Sequence, residues 1–274
     1  MAGNKRPLPM RLRRLITLSV AGALVIGVTG LFGLPKLLSE HVAQLPDSIQ
    51  NIADQVQAKP VTIFDPPKYS IDEAGSIWAV VNKQRQISPL KYKPSRLSYP
   101  TFPKPKIQNP YGLQLRTEAA LAAEQLAASM QEAGLGNLIL NSGFRTYKNQ
   151  QGLYNRTKDT RGLAVAEKLS ARPGHSEHQL GLAADFSVQG EGCVIMVCFG
   201  KTEAGAWLAE NAHQQGFIVR YPRGYKAITG FQYEPWHFRY VGVELATEMK
   251  VKAIATLEEF WSLESAPDYA APAG

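Results

Sequence analysis

The sequence predicts an α+β domain, a small antiparallel sheet with flanking helices, preceded by a single N-terminal transmembrane helix and a stalk. Three observations carry that prediction. Short apolar runs of strand character do not alternate regularly with helical segments, which favours α+β over a doubly wound parallel fold. A basic N-terminal tip is followed by twenty residues without a charge. Ten of the eighteen prolines fall between Pro46 and Pro110. That density excludes long helices there, because proline removes a backbone donor and clashes with the preceding turn.

Taken in order, residues 15–34, LITLSVAGALVIGVTGLFGL, follow Lys5, Arg6, Arg11, Arg13 and Arg14. At ~1.5 Å rise per residue they span a ~30 Å hydrocarbon core. The positive flank predicts a cytoplasmic N-terminus and places everything beyond it outside. A cleaved signal peptide and a buried soluble helix are the alternatives. The following PKLLSEHVAQ is a poor cleavage site, and the apolar run exceeds the roughly 7–15 residues usual in a signal peptide. Residues 35–73 lack a sustained period and read as a stalk. SIWAVVNKQRQISPLKYKPSRLSYP is more apolar and reads as an ordered arm around the domain.

The folded core is expected from Tyr111 onward, with Thr117 placed to cap a helix that stops at Gly134. A buried strand follows at 138–141, then a polar, partly helical stretch at 147–170 and a strand at 182–188. A helix over 202–215 stopped by Gly216, strands at 217–222 and 233–241, and a C-terminal helix over 243–262 complete the elements. The domain is thus expected over 74–264, and SAPDYAAPAG, residues 265–274, reads as a disordered tail.

Lys and Arg total 30 against 23 Asp and Glu, a net charge of +7, and five of those cations lie in the tip before residue 15. The remainder of the chain carries only +2. A nucleic-acid footprint needs clustered positive charge on the folded domain, so the charge balance argues against that partner class. Cys193 and Cys198 can close a small loop in an oxidising compartment; two reduced thiols in a surface turn is the alternative reading.

Three segments concentrate polar residues suited to a reaction centre: SGFRTYKNQQGLY (142–154), RPGHSEHQLGLAADFSV (172–188) and YEPWHFRYVG (233–242). In the second, His178 and Asp185 are separated by small residues that let a turn and an incoming strand pack closely. In the third, Glu234 stands three before His237. Two imidazoles and a carboxylate form a ligand set suited to Zn²⁺ with one position left for water. A second carboxylate beside that position can act as the base of metal-assisted hydrolysis. Singly these signals are weak, since a lone histidine in an Ala/Leu-rich segment is usually a satisfied core residue. Their combination reverses that reading.

SGFR-x4-Q-x2-L, PG-x-SEHQ-x-G-x-A-x-D and EPWH-x-RYVG, in that order and spacing, resemble the signature of the VanY-type zinc D-alanyl-D-alanine carboxypeptidases, a group that also holds cell-wall L,D-carboxypeptidases. The resemblance runs over residues 77–248 and includes the arm VVNKQRQISPLKYKPSRL. It implies a zinc cleft with His178, Asp185 and His237 as ligands, Glu234 as catalytic base and Arg145 as the cation for the oxyanion. Ser176 and Gln150 match positions lining the substrate cleft. His175 competes with His178 for notice, but the implied ligand set is complete without it. Arg220, Arg223 and Arg239 read as solvated or paired structural arginines, and His41 and His213 as surface residues.

The implied substrate is the stem peptide of bacterial peptidoglycan, reached from a single-pass membrane anchor on the wall side. Three function classes follow: a D,D-carboxypeptidase, an L,D-carboxypeptidase acting on tetrapeptide stems, and a non-catalytic zinc-containing peptidoglycan-binding domain. Possession of both Glu234 and Arg145 counts against the last, because a binder needs neither a base nor an oxyanion cation.

Overall fold

The computed structural model describes Phe64 and residues 68–270. The segment read as a transmembrane helix, residues 15–34, and most of the stalk lie outside the described residues. Among those described, no helix is long and apolar enough to cross a membrane.

The elements are, in chain order, β1 (Leu97–Ser98), α1 (Pro105–Gln108), β2 (Leu115–Arg116), α2 (Thr117–Glu132), β3 (Leu138–Ser142), α3 (Tyr147–Arg161), α4 (Leu163–Leu169) and β4 (Ala183–Val188). They continue with α5 (Glu203–Asn211), β5 (Phe217–Val219), α6 (Lys226–Thr229), β6 (His237–Tyr240), α7 (Val243–Val251) and α8 (Leu257–Phe260). The central sheet has four antiparallel strands in the order β3-β4-β6-β5, and β1 and β2 form a separate antiparallel pair. The α+β architecture expected from the sequence is therefore present.

Alternation along the strands divides the sheet into two faces with different chemistry. Leu138, Leu140, Ala184, Phe186, Val188, Phe217 and Phe238 point to a core shared with α2 and α5. The alanines of α2 let its backbone approach the sheet closely, and Leu126 and Met130 fill the remaining space, both fully buried. The opposite face carries Asp185, His237 and Arg239, all buried. Along a strand that reads Ala-Ala-Asp-Phe-Ser-Val, the apolar period and the chemical period are thus one residue out of step. Burial of β4 on both faces forces its polar residues to find partners within the protein.

The α2 helix ends as expected: Gly134 takes φ +75°, and the Leu135 amide returns to the Met130 carbonyl. Its start differs. Arg116 occupies the cap position and Thr117 is the first helical residue, its hydroxyl bonded at 2.9 Å to Ser98 on the neighbouring pair of strands. The single C-terminal helix expected over 243–262 is two helices. Ala253 turns the chain at φ +52°, and the Thr256 hydroxyl caps α8 by accepting the Glu259 amide at 3.1 Å. The Thr-x-x-Glu spacing signals that second start.

Two expected boundaries move outward. The core does not begin at Tyr111: Trp78, Val80 and Val81 of the arm are buried, and the Trp78 indole donates to the Val241 carbonyl at 2.9 Å. The last residues assigned to the stalk also belong to the domain, since the Ile71 carbonyl accepts from Val80 and Arg85 and the Phe64 ring packs 5.3 Å from Trp78. The tail is a correction too. Ala266 is fully buried with its amide on the Ile228 carbonyl at 2.7 Å, and the Tyr269 hydroxyl accepts from the Arg172 amide at 2.7 Å. Small residues there fit a groove against α6 and the arm, a tertiary opportunity that tail composition does not reveal. Residues 271–274 lie outside the described residues.

Candidate metal centre and catalytic cleft

Strand register builds the centre. Asp185 on β4 lies directly opposite His237 on β6, which brings two residues 52 apart in sequence onto one face. A shift of register between Leu140 and Ser142 sets Ser142 opposite Asp185 as well. Without that irregularity Asn141 would stand there, so the bulge re-aims the strand end toward the site. A one-residue slip of β6 would turn His237 into the apolar core.

His178 arrives from a 3₁₀ turn, Glu177–Leu180, which Gly181 ends at φ +69°. The His178 Nδ1 lies 2.8 Å from the Gly143 carbonyl, so that nitrogen is the donor and Nε2 carries the lone pair. Nε2 points at Asp185 Oδ2, 3.4 Å away, and His237 Nδ1 lies 3.0 Å from Asp185 Oδ1. The ligand atoms of His178, Asp185 and His237 lie within 4.8 Å of one another. Two atoms bonded at ~2.1 Å to one tetrahedral ion stand about 3.4 Å apart, so the arrangement needs little adjustment to hold Zn²⁺.

The electrostatics favour a cation. Burial alone would raise the Asp185 carboxyl, but His178 and His237 hold it well below the usual carboxylate range. Burial alone would lower His237, yet the carboxylates of Asp185 and Glu177 on either side of the ring push it up to about 9. Burial lowers His178 and keeps it neutral, as a ligand must be. The carboxylates that raise His237 would equally stabilise a cation held between the same side chains.

Glu234 Oε2 lies 4.0 Å from His237 Nδ1, beside the ligand group rather than within it. Burial, helped by the Asp185 charge, pushes its carboxyl up to about 7. Arg145 is held from two sides: Nη1 donates to Gln150 Oε1 at 2.8 Å and Nη2 to Ser142 Oγ at 2.7 Å. Gln150 is buried, and its amide nitrogen is occupied by the Ser170 hydroxyl and the Ala171 carbonyl at 3.2 and 2.7 Å. Its contacts therefore orient Arg145. All of these residues, with Ser176, line one cleft of about 400 Å³.

His175 faces away from the cluster, with Nδ1 2.9 Å from the Asn82 carbonyl. Cys193 and Cys198 form a disulfide, their Cα atoms 5.7 Å apart, and Ile195 of the closed loop lines the cleft. Arg220 and Arg239 are fully buried and paired, whereas Arg223 stacks 4.3 Å above the Tyr233 ring.

Two neighbours of the centre had no role assigned from sequence. Tyr221 stacks on His237 with ring centroids 4.9 Å apart, and Glu177 accepts from both buried arginines. Glu177 sits inside the SEHQ motif, adjacent to a ligand, and that adjacency was the available signal. Nothing in YPRG marks Tyr221.

Two imidazoles and an ionised carboxylate around one point, a second carboxylate beside them and a fixed guanidinium across the cleft define a zinc metallopeptidase. Residues 112–243 match the family model described as VanY, D-alanyl-D-alanine carboxypeptidase. The Bacillus subtilis (strain 168) protein YodJ is 37% identical over 195 residues, which cover 70% of this chain and 69% of that protein. The Enterococcus gallinarum bifunctional D-Ala-D-Ala dipeptidase and carboxypeptidase VanXYC is 35% identical over 164 residues, 59% of this chain and 81% of its own. Among solved structures, the LdcB LD-carboxypeptidase matches with a TM-score of 0.62 at 37% identity, covering 70% of this chain and 88% of LdcB. The vancomycin-resistance D,D-pentapeptidase VanY, solved with Zn(II), matches with a TM-score of 0.54 at 32% identity, covering 66% of this chain and 97% of its own. The chain belongs to the VanY family of carboxypeptidases.

Proposed function

We propose that this carboxypeptidase releases the C-terminal D-alanine of peptidoglycan stem peptides, with D-alanyl-D-alanine ends as the first substrate. The observation that carries the reading is the convergence of His178, Asp185 and His237 with Glu234 and Arg145 in one cleft. His178 Nε2, one Asp185 oxygen and His237 Nδ1 would hold zinc, leaving room on the cleft side for water and substrate. The ion, when bound, supplies Lewis acidity to the nucleophilic water and the scissile carbonyl.

The chain's own groups do the rest. Glu234, ionised, takes a proton from the attacking water as its oxygen bonds to the carbonyl carbon. The same carboxyl then gives that proton to the leaving amine as the C–N bond breaks. With the metal position filled, the Glu234 carboxyl would be moved toward the ionised form that a base requires, against the effect of burial. Arg145, held in orientation by Ser142 and Gln150, stabilises the negative charge that develops on the carbonyl oxygen.

The likeness to LdcB favours a second reading, L,D-cleavage of tetrapeptide stems. Incubation of the zinc-loaded protein with defined pentapeptide and tetrapeptide stems, with alanine release followed by mass, separates the two. Release from the pentapeptide supports the first reading and release from the tetrapeptide alone supports the second. Release from neither would sink the catalytic proposal and favour a peptidoglycan-binding domain. We further propose that residues 15–34 anchor the chain in the bacterial cell membrane with the domain on the wall side. That placement requires the full-mass protein to fractionate with membranes.

A further inference from the structure

Glu177 has a hydrogen-bonding pattern that charge neutralisation alone does not explain. It is fully buried, and both guanidiniums that reach it converge on one oxygen: Arg220 Nε and Arg239 Nη1 each donate to Oε1 at 2.8 Å. The other oxygen is left over. Oε2 has no hydrogen-bond partner and faces His237 Nε2 at 3.5 Å, and His237 Nε2 is itself buried without a partner. Two buried orphan atoms therefore point at each other, one an acceptor and one able to donate. A few tenths of an ångström of approach satisfies both, and leaving either unmet is costly.

The surroundings hold Glu177 in that pose. Arg220 is clamped by Glu258 through two bonds of 2.9 and 2.7 Å, and Glu258 in turn accepts from Asn82 at 2.9 Å. Arg239 Nη2 donates to the Ile77 and Ala79 carbonyls of the arm at 3.0 and 2.8 Å. Both arginines are thus committed elsewhere, and neither has a reason to swing to Oε2. Tyr221 stacks on a face of the imidazole and limits its rotation.

We propose that Glu177 is a positioning residue that fixes the tautomer and orientation of the metal ligand His237. A neutral, metal-ligating imidazole keeps one proton, and with a metal rather than a proton between Nδ1 and Asp185 the Glu177 oxygen facing Nε2 selects that nitrogen as the protonated one. With Nε2 protonated, the lone pair is on Nδ1, the atom that faces Asp185 and the metal position. The buried Glu177–Arg220–Arg239–Glu258 network then ties the proline-rich arm to the geometry of the metal centre. This inference rests on His237 being a zinc ligand.

The test uses the full domain with zinc affinity, measured by chelator competition, as readout. Glu177→Gln keeps an oxygen for the arginines but turns an amide donor toward His237, and it should weaken zinc binding roughly 10–100-fold. Glu258→Gln disturbs the same charge network one link further from the imidazole; it should lower the melting temperature while leaving zinc affinity within about twofold of wild type. In the zinc-loaded wild type, ¹⁵N NMR of the His237 ring should show Nε2 protonated and Nδ1 metal-bound. If Glu177→Gln fails to fold, that spectrum still tests the tautomer on which the proposal depends. A folded Glu177→Gln protein that binds zinc as tightly as wild type, or a spectrum with the proton on Nδ1, overturns the proposal. His237→Ala identifies failure of the underlying ligand assignment, which would appear as unchanged zinc affinity in that variant.

Discussion

Replacing Gly143 by alanine would place a methyl group 2.6 Å from the backbone carbonyl oxygen of Gln114, a contact that no rotamer change can relieve. Carbon and oxygen need roughly 3.3 Å, so the two strands of chain must part by about 0.7 Å. The same Gln114 carbonyl accepts the Phe144 amide at 2.7 Å, and that bond would be stretched or lost. Overpacking of this kind costs about 1–3 kcal/mol and the hydrogen bond about 1 more, a total of about 2–4 kcal/mol. For a domain of this size that corresponds to a melting temperature lower by about 4–16 °C. The displacement also reaches the metal centre, because the Gly143 carbonyl is the acceptor that orients His178. Thermal unfolding of the zinc-free protein and a chelator titration of the zinc-loaded protein read the two effects separately. Gly143→Ala should lower both the melting temperature and zinc affinity. A variant that melts within a degree of wild type and binds zinc normally would refute the close-approach argument.

Glu234→Gln should retain zinc at one equivalent and lose at least 10²–10⁴-fold in turnover, measured as alanine release. Arg145→Lys should lose about 10²–10³-fold, because an ammonium cannot satisfy Gln150, Ser142 and the oxyanion from one planar fork. Reducing the Cys193–Cys198 bridge should destabilise the domain by no more than about 2 kcal/mol, given the short loop it closes, and should raise KM more than it lowers kcat through the movement of Ile195 in the cleft wall. For acid stability, burial would raise the Glu258 carboxyl, but Arg220 outweighs it and holds it below its ordinary value. Its contribution is therefore fully present above the unfolded carboxyl range near pH ~4.3 and is lost as pH falls through the lower folded value. Denaturant titrations should show wild-type stability falling below that range, with a shallower fall in Glu258→Gln.

The site was legible because its chemistry is carried by residue types at fixed local spacings. His178 and Asp185 are separated by a turn and half a strand, and Glu234 and His237 by one bend, so each segment brings its own pair close whatever the rest of the chain does. The same holds for Arg145 and Gln150, which face each other across the first turn of α3, capped by Thr146. What Gln150 touches was less legible: a polar residue in a motif reads as a substrate contact, and only the packing of α3 against residues 170–171 shows its amide engaged within the protein.

The sequence by itself determined the α+β class, the helix stop at Gly134, and the His, Asp, Glu and Arg residues that the fold gathers in one cleft. Each is set by local periodicity, by backbone freedom at a single residue or by side-chain chemistry that few alternatives can replace. Tertiary structure alone decided which face of β4 bears Asp185, that Arg220 and Arg239 are buried rather than solvated, that Glu177 and Tyr221 flank His237, and that Ala266 and Tyr269 are anchored against the domain. Those outcomes depend on pairings between residues far apart in sequence, such as Arg220 with Glu177 and Asn82 with Glu258. A buried charge is tolerable only where its partner also arrives, and the arrival is a property of the assembled sheet, arm and C-terminal helices rather than of any one segment.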